Sequence, residues 1–166
     1  AGSFEAVAAF CGGKQVTIFW GPNATATIGD DVILGTPGDD MISGGAGNDT
    51  ICGGDGDDTL AGNSGADAIF GQDGMDTIFG GDGNDRLHGN FGEDLIYGND
   101  GNDVLIGYGD DDVILGGNGN DKIHGNFGDD TLHGDAGDDE LFGADGADTV
   151  SGGTGHDTLH GNSGVD

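Results

Sequence analysis

The sequence predicts an all-β solenoid built from a nine-residue unit, and three observations carry this prediction. Starting at Ala26, fifteen consecutive units run without a change of phase, and a sixteenth is begun before Asp166. The sixth position of every unit is Asp, and the eighth position of every complete unit is aliphatic. Gly occupies the fourth position in all units but one. A fixed period of this kind is the sequence signature of a solenoid.

Each position of the unit has a physical interpretation, best seen in residues 44–61, which read GGAGNDTIC and then GGDGDDTLA. Gly at the first and fourth positions permits backbone angles that side chains disfavour, so the first six residues are predicted to form a tight turn. The last three residues suit a very short strand, whose middle side chain points one way and whose neighbours point the other. If two units make one coil, the eighth residues of opposite strands meet inside it.

The sixth-position Asp residues are the candidate metal ligands. Coils of stacked strands lie about 4.8 Å apart, so Asp residues eighteen apart in sequence would face each other across that gap. Carboxylates at this spacing repel each other unless a cation lies between them. Ca²⁺ accepts six to eight oxygen ligands in flexible geometry, and carboxylates and turn carbonyls supply oxygens. The candidate ligands are Asp31, Asp40, Asp49, Asp58, Asp67, Asp76, Asp85, Asp94, Asp103, Asp112, Asp121, Asp130, Asp139, Asp148, Asp157 and Asp166.

The charge of the chain agrees with many such ions. Loops stacked in two columns leave about fourteen gaps, and one Ca²⁺ in each gap would carry roughly +28. The formal net charge of the chain is −29. We therefore expect up to about fourteen calcium ions.

These repeats resemble the calcium-binding nonapeptide repeats of the RTX (repeats-in-toxin) family. Residues 35–166 match the pattern closely, whereas residues 26–34, ATIGDDVIL, lack the opening Gly pair. The resemblance implies a right-handed parallel β-roll with Ca²⁺ held between stacked turns by the Asp carboxylates and loop carbonyls. It also implies secretion, and hence an extracellular or cell-surface location.

The composition sets a condition on folding. Forty Gly residues and 32 acidic residues against three basic ones are typical of disordered chains. Disorder does not explain the unbroken phase of the repeat. However, one inward aliphatic side chain in nine residues cannot offset the entropy lost when the unit is ordered. We therefore expect metal binding to supply much of the folding free energy, and a disordered chain without Ca²⁺.

Several function classes are disfavoured. Phosphate binding needs Lys and Arg, of which the chain has three, so nucleic acid is disfavoured as a partner. The sequence has no apolar stretch long enough to be a transmembrane segment. No spacing suggests a Ser-His-Asp or Cys-His arrangement, and we predict no enzyme activity. His88, His124 and His160 fall on every second coil, roughly 9.6 Å apart, which is too far for one metal ion to bridge.

The first 25 residues lie outside the repeat, and residues 26–166 form the predicted β-roll. We interpret residues 1–25 as an N-terminal cap that covers the first coil. Within them, residues 16–20 have the composition of a strand. Asn23 begins an N-glycosylation acceptor pattern, which also arises by chance.

Two cysteines, Cys11 and Cys52, are present. In a secreted protein they most simply form one disulfide, which would join the cap to the third unit. The alternative is two unrelated thiols, with Cys52 partly exposed on an outward strand position.

Two features of the loops stand out. Unit 107–115 reads GYGDDDVIL, with Asp110 where Gly is expected, and we expect altered metal affinity at the two sites flanking Asp112. Phe91 and Phe127 come from loops of one column, with Tyr108 on the loop between them. These rings are expected to be exposed, and an exposed apolar surface often marks contact with another chain.

The favoured function is a secreted calcium-binding structural or adhesive β-roll that folds on meeting extracellular Ca²⁺. Head-to-tail filaments are a sharper hypothesis, in which the strand 16–20 of a second molecule completes the coil begun before Asp166. Monomers alone at millimolar Ca²⁺ and high concentration would exclude it. The alternative function is a calcium-dependent secretion and folding module of a larger enzyme or toxin, whose catalytic domain would lie beyond Asp166.

Overall fold

The computed structural model of the protein describes residues 10–15, 18–19 and 24–163, and every regular element among them is a β-strand. No helix long and apolar enough to cross a membrane occurs among these residues. The strands are β1 (Phe10–Cys11), β2 (Lys14–Gln15), β3 (Ile18–Phe19), β4 (Ala24–Thr25), β5 (Val32–Leu34), β6 (Met41–Ala46), β7 (Thr50–Asp55), β8 (Thr59–Ser64), β9 (Ala68–Asp73), β10 (Thr77–Asp82), β11 (Arg86–Phe91), β12 (Leu95–Asp100), β13 (Val104–Gly109), β14 (Val113–Asn118), β15 (Lys122–Phe127), β16 (Thr131–Ala136), β17 (Glu140–Asp145), β18 (Thr149–Ser151) and β19 (Thr158–Ser163).

From β3 onward the chain alternates between two parallel sheets. The odd-numbered strands β3 to β19 form a nine-stranded sheet, here the odd sheet, and the even-numbered strands β4 to β18 form an eight-stranded even sheet. Each repeat strand pairs with the strand two places later in the chain, so that Leu87 lies beside Leu105 and Ile96 lies beside Ile114. One coil is therefore two nine-residue units. The predicted parallel β-solenoid is confirmed.

The repeat strands are longer than the sequence predicts. Most have six residues, because each continues through the first three residues of the following unit, as in β8. The pairing of β8 with β10 passes over Gly62, and Asn63 then takes a positive φ of 78°. The strand therefore bends at the start of each turn. The sequence pattern indicates the bend, but the hydrogen bonds that make these turn residues part of the sheet come from the stacked coils.

The core is a single column of aliphatic side chains. The eighth-position residues point between the two sheets, and a row of them is buried, consisting of Ile33, Ile42, Ile51, Leu60, Ile69, Ile78, Leu87, Ile96, Leu105, Ile114, Ile123, Leu132 and Leu141. Their seventh- and ninth-position neighbours are on the outward faces, as the alternating burial of β9 shows. The core is thus one side chain deep in each unit. Its stability depends on continuous stacking along the solenoid axis.

The N-terminal residues contact the solenoid in two ways. Strands β1 and β2 form an antiparallel hairpin on the outward face of the odd sheet, where Lys14 Nζ donates a hydrogen bond of 2.9 Å to Thr50 Oγ1. Strand β3 extends the odd sheet beside β5, and β4 extends the even sheet beside β6. Of the predicted strand 16–20 the structure describes Ile18–Phe19, and Asn23 lies outside the described residues. The division into a cap and a roll at residue 26 stays a prediction.

The hairpin is joined to the roll at Cys11 and Cys52. The two side chains are paired, with Cα atoms 5.8 Å apart, a separation typical of disulfides. Both residues are buried, and Val32, Leu34 and Phe70 pack around them. The hairpin therefore covers the outward face of the odd sheet at the first, third and fifth units.

We predict that Leu87→Ala lowers the stability of the calcium-loaded protein by about 2–5 kcal/mol, because it leaves a cavity in a core one side chain deep. Leu159→Ala is the matched control, since Leu159 occupies the same repeat position but is 47% exposed. Thermal unfolding in saturating Ca²⁺ measures both changes. Equal losses of melting temperature would show that the inner column does not carry the stability of the coil.

Candidate metal sites

The sixth-position Asp residues form two columns along the edges of the solenoid. Those from Asp31 to Asp148 are buried, and Asp157 is half-buried. Asp166 lies outside the described residues. The backbone holds each Asp in place, because the seventh-position N–H donates to the carbonyl oxygen of the Asp in the preceding coil, as Thr77 does to Asp58 at 2.8 Å. The structure therefore brings together the residues that the repeat predicts as ligands.

From Asp49 to Asp157, one oxygen of each carboxylate is fixed by the coil before it, whereas Asp40 Oδ1 is buried without a partner. The backbone N–H of Asp58 donates to Oδ1 of Asp76 at 2.8 Å. The same bond recurs along both columns at 2.7–3.1 Å. A continuous series of carboxylate-to-backbone bonds thus links successive coils.

The second carboxylate oxygen, Oδ2, is buried and makes no hydrogen bond in most of the repeat. This holds for Asp49, Asp58, Asp67, Asp76, Asp85, Asp94, Asp103, Asp112, Asp121, Asp130 and Asp139. An ionised oxygen buried without a partner carries a large desolvation cost. Its regular recurrence indicates that a positive group belongs beside it.

The first-position glycines keep the space beside this oxygen open. A Cβ atom added to Gly71 would overlap Asp76 Oδ2 and lie 2.7 Å from the carbonyl oxygen of Gly89 in the next coil. The carboxylate and that carbonyl therefore border the same small space. The sequence-based explanation of the first-position Gly by backbone angle is wrong, because φ is positive at the fourth-position glycines from Gly47 onward, such as Gly74, and not at the first-position ones. Space, rather than backbone conformation, requires Gly there.

The donor set fits a hard cation. Each gap offers carboxylate and carbonyl oxygens, which are the ligands that Ca²⁺ prefers. Among the described residues no group of three acidic, His or Cys side chains converges, so backbone carbonyls must complete a coordination shell. Soft transition metals, which prefer thiolate or imidazole, find no such ligands in the columns.

Burial shifts the protonation of the columns. Desolvation raises the pKa of Asp58, Asp94 and Asp103 to about 7 and that of Asp112 to about 8, from an ordinary value of 3.8. The N–H donated by the preceding Asp opposes the shift, and neighbouring carboxylates add to it. The same causes raise the pKa to about 6 at Asp67, Asp76, Asp121 and Asp130. Without a cation, these groups hold protons close to neutral pH.

The first two units differ from the rest. The backbone N–H and the hydroxyl of Thr27 donate to Asp31 Oδ2 at 2.9 and 2.8 Å. Thr36 makes the same pair of bonds to Asp40 Oδ2, at 2.5 and 2.9 Å. The oxygen that lacks a partner further along is satisfied here by the protein. The sequence analysis missed these residues, although Thr at the second position of both units, where later units mostly carry Gly or Asn, was the available signal.

A second ladder, also missed, runs through the fifth positions. Where this residue is Asn or Asp, its Oδ1 accepts the backbone N–H of the fifth residue in the next coil, as Asn102 does from Asn120 at 2.7 Å. The signal was the frequency of Asn and Asp at that position. The ladder holds adjacent loops in register beside the carboxylate columns.

Asp110 changes the backbone bonding of its loop. Gly74 N–H donates to the carbonyl oxygen of Phe91 in the next coil at 3.0 Å, but Gly92 N–H donates instead to Asp110 Oδ2 at 3.1 Å. Asp110 has a positive φ of 76°. Asp112 stays buried and keeps its bond from Asp94 N–H at 2.8 Å. The loop keeps its place in the stack, and the altered metal affinity stays a prediction.

The raised pKa values predict a reversed pH dependence for the chain in chelator. A carboxyl whose pKa is raised by folding stabilises the fold below its unfolded value of 3.8 and loses that contribution as pH rises through about 6 to 8. We expect more β-structure by circular dichroism at pH 4.5 than at pH 8 in the absence of metal. Greater β-content at pH 8 would contradict the burial of these carboxyls in the metal-free fold.

Comparison with known proteins agrees with this geometry. The family model for the RTX calcium-binding nonapeptide repeat matches residues 25–60, 53–87, 61–96, 88–123, 106–141, 115–150 and 142–166, which together cover residues 25–166. No curated protein matches the chain. The stacked coils, the two Asp columns and the family match agree with one another, and the chain belongs to the family of RTX calcium-binding nonapeptide repeat proteins.

Proposed function

We propose that this protein is a secreted, calcium-binding structural β-roll that folds as it binds Ca²⁺ outside the cell. The observation that carries the proposal is the row of buried Oδ2 atoms without hydrogen-bond partners. A divalent cation beside each one would offset both the desolvation of the carboxylate and the repulsion along the column. In this proposal the ion is part of the folded structure rather than a reagent.

The ligands follow from the geometry of one gap. We assign to each ion the Oδ2 atom of one Asp, the carbonyl oxygen of the first Gly in the next coil and the Asp of that coil. For the gap above Asp76 these are Asp76, Gly89 and Asp94. All sixteen sixth-position Asp residues remain candidates. Because Thr27 and Thr36 satisfy Asp31 and Asp40, however, the expected number of strong sites falls from about fourteen to about twelve.

The same assignment argues against catalysis. In this assignment the buried carboxylates bind metal and accept backbone hydrogen bonds. The groups beside them in each gap are carbonyl oxygens, which act neither as nucleophiles nor as bases. Calcium held in this way stabilises structure without exposing a coordination position to a substrate. The proposed role is structural or adhesive.

Secretion is supported by the paired cysteines as well as by the calcium sites. Disulfides persist in oxidising compartments and are rare in the cytosol. Extracellular Ca²⁺ sites bind at about 10⁻⁴–10⁻³ M, so a roll of this type would stay unfolded in the cytosol and fold after export. A role as the folding module of a larger secreted protein rests on the same physics and remains the alternative.

Self-association is a further part of the proposal. At the two ends of the odd sheet lie β3 and β19, and at one end of the even sheet lies β18. A second molecule stacked on these ends would continue the parallel ladder, giving the head-to-tail filament. Sedimentation at millimolar Ca²⁺ tests it, and monomers alone would exclude it.

We predict that the chain passes cooperatively from coil to β-structure during a Ca²⁺ titration, with a midpoint near 1 mM and reversal by chelator. Asp94→Asn should raise that midpoint, since it removes a buried ligand. Asp82→Asn is the matched control, because it makes the same charge change on an exposed third position. Far-UV circular dichroism follows all three proteins. A β-rich chain in chelator at neutral pH would show that burial and the cysteine pair suffice for folding.

We also predict that the double variant Thr27→Gly, Thr36→Gly binds more calcium, rising from about twelve to about fourteen ions, because two further Oδ2 atoms lose their hydroxyl donors and keep only one backbone N–H each. Gly45 and Gly54 occupy the same position in the next two units, so the substitution suits the backbone. Asn63→Gly is the control, since Asn63 donates to Ser43 and Ala61 rather than to an Asp. Elemental analysis after gel filtration gives the counts. An unchanged count in the double variant would mean that Thr27 and Thr36 do not compete with the metal.

A further inference from the structure

An aromatic groove lies at the C-terminal ends of β11, β13 and β15 in the odd sheet. Phe91, Tyr108 and Phe127 line it, with Asn90 and Gly109 between them, and its volume is about 410 Å³. The three rings are 67%, 43% and 65% exposed, respectively. Rings this exposed are uncommon in so small a protein, and such surfaces often mark binding sites.

The strand register places the two Phe residues on either side of a gap. Gly109 pairs with Phe91 on one neighbouring strand and with Phe127 on the other. The two Phe residues are thus two strands apart, roughly 9.6 Å, and a residue without a side chain lies between them. A group centred over Gly109 would be about 4.8 Å from each ring position.

Three departures from the repeat converge at this point. The second position has a positive φ in many units, as at Asn90 and Asn126, but here it carries the bulky Tyr108, and Asp110 has a φ of 76° where other units carry Gly. Gly109 is the one Gly at the third position of a unit. Duplication of a four-unit block, visible in HGNFGED at 88–94 and HGNFGDD at 124–130, explains why Phe recurs, but it does not explain these changes in the intervening unit.

The groove is bordered by carboxylates. Asp73 pairs with Phe91 and Asp145 pairs with Phe127, so an acidic residue stands at each end in the third-position row. Asp110 and Asp111 follow Gly109 in the chain, and both are exposed. Calcium bound in the buried columns would not neutralise the negative charge of these surface carboxylates. The ligand is therefore expected to be a cation.

The basic residues of the same sheet lie at the other end of their strands. Arg86 and Lys122 precede Phe91 and Phe127 by five residues, roughly 16 Å along the strands. Lys122 Nζ is paired with Glu140 at 2.7 Å. The cation must therefore come from another molecule. A second copy is a poor source, because the whole chain has three Lys and Arg residues against 32 acidic ones.

We propose that this groove binds an arginine side chain presented by a basic partner protein. A guanidinium group is planar and weakly hydrated, so it stacks on aromatic faces more readily than an ammonium group does. Centred over Gly109, it would fall inside the distance of about 6 Å at which cations are attracted to rings. Asp110 Oδ2 accepts the N–H of Gly92, and its other carboxylate oxygen can accept an N–H group of the guanidinium. The proposal rests on the calcium-loaded fold, since calcium-dependent stacking brings the three strands together.

The test is isothermal titration calorimetry in saturating Ca²⁺ with a short peptide carrying two arginines. The same peptide with citrulline, which keeps the shape of arginine without the charge, and with lysine are the ligand controls. We expect the arginine peptide to bind most tightly and the citrulline peptide least. Phe91→Ala and Phe127→Ala should each weaken binding of the arginine peptide by about fivefold. Ala46 and Ala136 occupy the same position in other units, so these substitutions suit the fold.

Further variants separate the groove from general charge. Asp82 is exposed and occupies the third position of its unit, as Phe91 and Phe127 do, but it lies on the even sheet. Asp82→Ala should therefore change binding of the arginine peptide by less than about twofold. Asp110→Gly restores the repeat and should weaken binding. Each variant is checked for its calcium-induced circular dichroism, so loss of folding is distinguished from loss of binding. If Phe127→Ala does not fold, Tyr108→Asn replaces it, since Asn90 and Asn126 occupy that position elsewhere.

Three results would overturn the proposal. Equal binding of the arginine and citrulline peptides would show that charge is not recognised. Equal weakening by Asp82→Ala and Phe127→Ala would show non-specific attraction. Self-association in Ca²⁺ that Phe127→Ala abolishes, measured by sedimentation, would make a second copy the occupant.

Discussion

The structure depends on one electrostatic constraint, which is that acidic side chains of the same charge are buried one coil apart in two columns. The constraint cannot be relaxed by moving the side chains outward. From Asp49 onward, Oδ1 is fixed by a backbone N–H of the preceding coil, as Asp76 is by Asp58. Each Oδ2 is enclosed by its own loop and by a first-position Gly. The geometry that makes the coils stack is thus the geometry that brings the charges together, and a cation resolves the conflict where the protein itself does not.

The core is too thin to override this conflict. One aliphatic side chain in nine residues is buried between the sheets, in a single file from Ile33 to Leu141. A globular domain of similar length surrounds its interior with several layers of apolar side chains. Here the two Asp columns determine the fold as much as the aliphatic interior does. Folding and metal binding are therefore expected to be inseparable in measurement.

The sequence predicted the coil, the inner column and the Asp columns because each depends on the nine-residue period. Leu87 and Asp94 can be placed by counting alone. The sequence could not predict which oxygen of a carboxylate lacks a partner, since that depends on the stacking distance between coils. It missed Thr27 and Thr36 because the hydroxyl of a second-position residue reaches the Asp four residues later only when the turn is folded. It also assigned the first-position Gly to backbone freedom, whereas the close approach of Asp and carbonyl oxygens is visible only in three dimensions.

The two oxygens of each column carboxylate give the stack a direction. Oδ1 is bound by the coil before, and Oδ2 borders the carbonyl oxygen of the coil after, as Asp76 shows between Asp58 and Gly89. In the first two units this second oxygen is already satisfied by Thr27 and Thr36. The Oδ2 atoms of the N-terminal coil are thus satisfied without an ion, although Asp40 Oδ1 is buried without a partner. Later coils, as at Asp76, meet a prearranged backbone N–H donor and carry an Oδ2 atom that lacks a partner. We therefore expect ordering to begin at the N-terminal coil and to proceed toward the later ones.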